Sequence, residues 1–311
     1  MARPVSLDRA VNRLKLTQLR LLIAVGKHRA ILHAAQELNI SQPAATKMIK
    51  DVEADFDVRL FDRTNRGAIP TAHGRALIRH AQLIFAQLGN AAQEMKDLTD
   101  GATGRVVIGT LVAGSARLVP HAIGRVLAER PNVTIKVVEG TNEILMPRLR
   151  TGEIDMVVGR LPTHRHRRDL HQLALGEEKI HLLVGRAHPL AQRAGLSFDD
   201  LRPFGWILPP SETTLRRQID EAFVEHDQYQ PPVIVESVNY LTNRALLGQG
   251  KLIGLAPRQG VLLDIGTAML VPLDFELPFG SGPIGATHRG ADQLSPAAKV
   301  FLQALVDEAA A

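Results

Sequence analysis

The stretch that decides the fold is "ILHAAQELNISQPAATKMIKDVE", residues 31–53. Ile31, Ala34, Ala35 and Leu38 recur at helical spacing, and Ala45, Ile49, Val52 and Phe56 do so again. Asn39 falls between the two runs, where the chain must turn, and asparagine follows glycine in readiness to take the left-handed conformation. Ser41 is placed to cap the second helix, and Pro43 is tolerated in its first turn. If that helix buries Ala45, Ile49, Val52 and Phe56, its other face carries Gln42, Thr46, Lys47 and Lys50. All four can hydrogen-bond to base edges or phosphates, and none closes a core. Ala44 and Ala45 are small enough to let a backbone come close. Such a layout, with contacting residues near the helix N-terminus, is what entry into the major groove of DNA requires. A three-helix lid with a solvated basic face is the competing reading of the same residues.

Working outward, Leu16, Leu19, Leu22, Ile23 and Val25 predict a helix before this pair. After it, around residues 58–72, "VRLFDRTNRGAIPT" reads as a small hairpin turning at Asn65-Arg66-Gly67, a wing. Arg63, Thr64 and Arg66 on that wing suit phosphate or minor-groove contact. Charge points the same way. Residues 1–80 hold 14 lysines and arginines against 7 aspartates and glutamates, whereas the remainder is slightly acidic within a total of +5. A polyanion partner is therefore expected for the front module alone.

From Thr71, a plausible N-cap, the pattern lengthens. Leu77, Ala81, Ile84, Leu88, Ala91, Met95 and Leu98 alternate steps of four and three, a heptad seam that needs a partner helix. "DGATG", residues 100–104, reads as the linker. Strand and helix alternate beyond it. "RVVIGTLV", "NVTIKVVEG" and "IDMVVGRL" with the helices between them form a βαβαβ unit, implying a parallel sheet. "KIHLLVG", "GWILPP", "PVIVES" and "LIGLAP" continue the series, and "AMLVPL" and "PIGATH" precede a last helix at 295–310. The expected architecture is an N-terminal winged helix-turn-helix over residues 1–72, a linker and dimerisation helix over 73–103, and an α/β two-lobed domain over 104–311. Its lobes are expected at about 104–175 plus 278–311 and at about 176–277.

A ligand in such a domain sits between lobes, at the carboxyl ends of strands and facing helix N-termini. Three junctions qualify: Gly114 and Ser115 after the first strand, Thr141 and Asn142 after the second, and Ser211, Thr213 and Thr214 in "LPPSETT". Unpaired N–H groups and hydroxyls there suit an anion or a polyol, although plain helix capping uses the same residues. Ser237 after "PVIVE" is a further candidate. Arg160 in "VVGRLP" could pair with an acidic ligand or with another lobe. His164, His166 and His171 in "THRHRRDLH" match no metal-ligand spacing and read as an exposed loop. With no cysteine, disulfides and thiolate metal sites are excluded. No nucleophile elbow, Walker loop, H-E-x-x-H or C-x-x-C occurs, and "GQGKLIG" has the wrong spacing for a dinucleotide site. No cofactor or enzymatic activity is expected, and no apolar run reaches the length of a signal peptide core or membrane span, so a soluble cytoplasmic protein is expected. The alternative is a cytoplasmic small-molecule-binding protein or enzyme whose basic N-terminus reads no DNA.

The segment from "LTQLRLLIAVGKHRA" to "TAHGRALI" resembles the N-terminal domain of LysR-type transcriptional regulators. The matching elements are the Ala34-Ala35 pair, "SQPA" opening the second helix, "LFDR" entering the wing and "TAHG" opening the long helix. "HRAILHAA" departs in lacking the usual serine-rich start, and Val52 replaces a common leucine. The resemblance spans nearly the whole chain. It implies a sequence-specific regulator that binds a pseudo-palindromic promoter site as a homodimer, commonly a homotetramer, with RNA polymerase as a further partner. It also implies a small-molecule effector between the lobes. The family's pocket uses a serine or threonine after the first strand, a threonine opening the next helix and a polar turn in the second lobe. Thr141 and Ser211 match the last two. Ala113 stands at the first, with Ser115 two residues on, which shifts the expected effector from a simple carboxylate towards a sugar or a larger acid. "SQPAATK" and "VVGRLP" are most similar to the branch responding to sugars and aromatic acids.

Overall fold

The structure, a computed structural model, describes residues 12–64, 67–100, 104–162, 169–225, 230–258, 260–261, 269–277 and 281–310. The chain divides into two compact units, residues 1–92 and 93–311. Among the described residues no helix is long and apolar enough to cross a membrane.

The first unit is built on α1 (Leu16–His28), α2 (Ile31–Glu37), α3 (Gln42–Phe56), the hairpin β1 (Phe61–Thr64) and β2 (Gly67–Pro70), and the first part of α4 (Ala72–Asp100). The periodic positions do what their spacing demands: Leu22, Val25, Ala34, Ala35, Ala45, Ile49 and Val52 share one core. Asn39 makes the turn with φ of 54°. Ser41 Oγ accepts the Ala44 N–H at 3.3 Å, and Pro43 follows within the first turn. The wing is tied to α3 by Glu53, whose carboxylate accepts the Leu60 N–H at 2.8 Å. Thr71 caps α4 by accepting the Gly74 N–H at 3.0 Å while donating to the Arg59 carbonyl at 2.8 Å. Gly74 explains its place in "TAHG": a Cβ there would fall 2.0 Å from the Leu60 carbonyl oxygen.

The seam on α4 divides. Ala81 is buried in the core of the first unit and Leu77, half-buried, packs against it, so both contribute to this chain's own head. Ile84, Leu88, Ala91 and Met95 are exposed, and the side chain of Leu98 lies outside the described residues.

The second unit carries β3 (Arg105–Thr110), α5 (Val112–Ser115), α6 (Leu118–Glu129), β4 (Thr134–Glu139), α7 (Asn142–Arg150) and β5 (Met156–Arg160). Then come β6 (His171–Gly185), α8 (Phe198–Leu201), β7 (Gly205–Leu208), α9 (Thr214–Glu225), β8 (Val233–Glu236) and α10 (Tyr240–Leu247). It closes with β9 (Leu252–Pro257), β10 (Leu270–Pro272), β11 (Ser281–His288) and α11 (Pro296–Ala310). The strands run β4-β3-β5-β11-β6-β9-β7-β8, with β10 beside β6. β3 is parallel to β4 and β5, as the βαβαβ pattern requires, while β11 returns antiparallel between β5 and β6.

β6 is longer than the expected "KIHLLVG". Its first half mixes polar residues with only the short apolar run Leu173-Ala174-Leu175 and is about half exposed, so no long apolar run announces it, yet it pairs with β11 as far as Lys179. From Ile180 the same strand pairs with β9, and one strand thus serves both lobes. In the first lobe α6 and α11 cover one face of the sheet around Val106, Ile108 and Phe301, and α7 covers the other. In the second, α9 packs Ile219 and Phe223 against Trp206, and α10 packs Leu247 on the opposite face. The ends of β3, β5, β7 and β9 and the starts of α7 and α9 are thereby brought to one cleft.

Candidate functional site

The head presents a single helix face. Ala45, Ile49 and Val52 hold α3 to the core, and this fixes the side that faces out. Ser41, Gln42, Pro43, Ala44, Lys47 and Lys50 are exposed, and Thr46 is half-buried at the margin. Small side chains are exposed at Pro43 and Ala44 and donors at Gln42, Lys47 and Lys50, which suits approach to base edges flanked by phosphates. Thr64 is exposed at the end of β1, its hydroxyl donating to the Gly67 carbonyl at 3.4 Å. Arg66 and the side chain of Arg63 lie outside the described residues.

In the second unit the cleft between the lobes has a volume of about 140 Å³. A space of that order takes one six-membered ring. Thr141, Asn142, Arg160, Thr213, Thr214 and Ser237 line it. Gly114, Ser115 and Ser211 do not. Gly114 is buried against β5, where a Cβ would come within 2.7 Å of the Val158 carbonyl oxygen. The Ser115 hydroxyl turns back to the Val112 carbonyl at 2.9 Å, closing the turn of α5, so that Val112 and Ala113 face the cleft instead. Ser211 is exposed ahead of α9, whose cap is Thr213. Thr213 accepts the Arg216 N–H at 3.2 Å and donates to the Pro210 carbonyl at 2.8 Å, leaving its hydroxyl committed to the fold. His171 is not part of a loop; it opens β6, with its ring stacked on His288 at 5.8 Å. His164 and His166 lie outside the described residues.

Sequence reasoning missed Glu143, Glu178 and Asn243, all of which line the cleft. Glu143 projects from the first turn of α7 in one lobe and accepts both the backbone N–H and the hydroxyl of Thr214, at 2.9 and 2.8 Å, in the other. Arg217 lies 3.8 Å from the same oxygen. Burial pushes the Glu143 carboxyl up, but the hydrogen bonds from Thr214 and Thr141 and from its own backbone outweigh this and hold it below its ordinary value. Asn243 donates to the Ser237 carbonyl at 3.3 Å, which sets the orientation of its amide. Its carbonyl oxygen is buried without a hydrogen-bond partner among the described residues, and so is that of Asn142 across the cleft. Burial draws the Arg160 guanidinium below its usual value, against the pull of Glu177 and Glu178. Glu143 carried a signal of a kind, being an acidic residue in a helix first turn. Glu178 sits in the unannounced half of β6 and Asn243 within α10, and neither position stands out in one sequence.

Residues 16–75 match the family model described as bacterial regulatory helix-turn-helix protein, lysR family, and residues 99–310 match that of the LysR substrate binding domain. The regulator GbpR of Azospirillum brasilense is 32% identical over 296 residues, covering 94% of this chain and 86% of that protein. PcaQ of Agrobacterium fabrum is 29% identical, covering 96% of both chains. Among solved structures, full-length CbnR in complex with its target DNA superposes with a TM-score of 0.62 at 20% identity, covering 95% of this chain and all of that one (100%), a likeness of fold. The chain belongs to the LysR family: it is a DNA-binding transcriptional regulator with a helix-turn-helix head and an effector-binding domain.

Proposed function

We propose that Ser41, Gln42, Pro43, Ala44, Thr46, Lys47 and Lys50, with Arg63, Thr64 and Arg66 of the wing, form the DNA-reading surface. The observation that carries this reading is the exposure of Gln42, Lys47 and Lys50 on the N-terminal half of a helix whose other side is locked into the core. Gln42 reads a base edge, the lysines and wing arginines neutralise phosphates, and Ser41, Pro43 and Ala44 set the approach. The exposed stripe of Ile84, Leu88, Ala91 and Met95, extended by Leu98, pairs with the same stripe of a second copy, and such dimers associate into a homotetramer on a pseudo-palindromic site. The protein works in the cytoplasm, and RNA polymerase is the downstream partner. A small molecule held by the cleft through Thr141, Asn142, Arg160 and Ser237 switches it. Whatever factor the effector adds to operator affinity, the operator must add to effector affinity.

Fluorescence anisotropy with operator DNA across a salt series tests the DNA surface. Affinity of the wild-type protein falls steeply with salt, and Lys47→Ala and Lys50→Ala each flatten the log–log slope by about one. Slopes unchanged in both variants would remove these lysines from the interface.

A further inference from the structure

The cleft already contains an anion of its own. Two helix N-termini, those of α7 and α9, come to it from opposite lobes, and N-terminal N–H groups are where a ligand carboxylate would be received. At α9 that place is taken. The Glu143 carboxylate accepts the Thr214 N–H at 2.9 Å and the Thr214 hydroxyl at 2.8 Å, with Arg217 at 3.8 Å. The carboxylate is also held from its own side by the first turn of α7 and by Thr141.

The remaining charges lean the same way. Among the described residues, the charged groups lining the cleft are the Glu143 and Glu178 carboxylates and the Arg160 guanidinium, and Arg160 already lies in the field of Glu177 and Glu178. With Arg217 beside Glu143 and Arg160 in the field of Glu177 and Glu178, an incoming carboxylate would compete for either guanidinium with a carboxylate already in place. What the cleft does offer is acceptors. The side-chain oxygens of Asn142, from one lobe, and Asn243, from the other, are buried with no hydrogen-bond partner among the described residues. Buried acceptors left unmade are costly, and a ligand with hydroxyl donors on two sides satisfies them. The apolar remainder, with Leu111, Ile180 and Leu255 among it, suits the C–H faces of a ring.

From these observations, and resting on the reading of this cleft as the effector site, we propose that the effector is a neutral polyhydroxylated molecule of monosaccharide size, and that Glu143 is the residue that excludes carboxylates. Asn142 and Asn243 each accept a hydroxyl proton, one from each side of the ring. Occupancy adds ligand hydrogen bonds to both lobes alongside the Glu143–Thr214 clasp.

The test is calorimetric titration of the full-length protein with neutral aldohexoses and aldopentoses, the aldonates of the same skeletons, and benzoate-type carboxylates. Operator binding and a thermal melt are measured on every preparation. A neutral sugar binds the wild type at least about tenfold more tightly than its aldonate, and Asn243→Ala weakens it by about tenfold. Glu143→Ala raises affinity for the aldonate by about tenfold, and Glu143→Gln, which keeps a hydrogen-bonding group beside Thr214 without its charge, does so to a smaller extent. Three results overturn the proposal. They are a carboxylate bound by the wild type as well as its neutral counterpart, no neutral sugar bound by protein that still binds operator, and no gain for aldonates in either folded Glu143 variant. A sugar bound with unchanged affinity by Asn243→Ala would instead displace the effector site from this cleft, while loss of operator binding by wild-type protein would indict the regulator reading itself.

Discussion

The head and the cleft are built by opposite strategies. The head puts its chemistry on one exposed face of α3, where Gln42, Lys47 and Lys50 follow from the helical period once Ala45, Ile49 and Val52 are buried. The cleft gathers its chemistry from residues distant in sequence, so that Glu143 reaches Thr214 and Asn142 faces a space shared with Asn243. One helix suffices for a rigid reading surface. A site distributed over two lobes couples occupancy to their arrangement, which is what a switch requires.

The separation of the two units is most severely tested in the core of the second lobe. Phe223 packs edge-on against Trp206, with ring centroids 5.7 Å apart. Phe223→Ala is expected to cost the effector unit about 3–5 kcal/mol. Trp206 is the single tryptophan, so its emission during urea unfolding reports this loss directly. At denaturant-free conditions the head is expected to keep its DNA affinity; a parallel collapse of DNA binding in protein with a native tryptophan signal would break the comparison.

Next in size is the stripe on α4. Leu88 is 45% exposed, and burying such a side chain against a partner helix contributes about 1.5–3 kcal/mol. Leu88→Glu should yield monomers by light scattering at micromolar concentration, with operator affinity lost and head stability kept. An unchanged oligomer would place the interface elsewhere.

Within the head, Gln42→Ala should cost about 1–3 kcal/mol at one base position and relax preference there, whereas Lys50→Ala should weaken all sequences alike. Competition binding with single-base operator variants separates the two, and equal loss of discrimination in both would refute the division of roles.

The smallest effect is on pH. His188 and His288 are buried and His181 partly so, and burial is the leading cause that lowers all three from 6.5. The unfolded chain therefore binds more protons than the folded one in the range below 6.5, and stability of the effector unit rises as pH climbs towards neutrality. Tryptophan-monitored urea midpoints should increase from about pH 5.5 to 7, and His188→Gln should flatten that rise. A falling midpoint over the same range would contradict the sign.

These contrasts also explain what the amino-acid sequence disclosed. The head was legible almost residue by residue, because capping, helical period and a left-handed asparagine are local rules. Ser41, Asn39 and Thr71 obey them in the structure. The parallel strands of the first lobe were legible for the same reason. The cleft was legible at its helix junctions, Thr141 and Asn142 among them, but Ser115 and Ser211 were drawn to it by their type and turned away by local geometry. Glu178 could not be found, since no long apolar run marks the first half of β6 and the register that brings it to the cleft is set by β11, more than a hundred residues later, while Asn243 sits within α10 where no local rule singles it out. Likewise Leu77 and Ala81 fit the heptad pattern, and only the packing of α4 on the head assigns them to the core.

The central claim, that α3 reads a specific DNA sequence, is tested most directly by unbiased selection from random duplex DNA with the full-length protein at near-physiological salt. The account predicts recovery of a pseudo-palindrome whose half-sites lie about one helical turn, or a multiple of it, apart. Recovery of fragments without sequence preference, bound only through a salt-labile attraction, would contradict it and reduce the basic face of the head to a solvated surface.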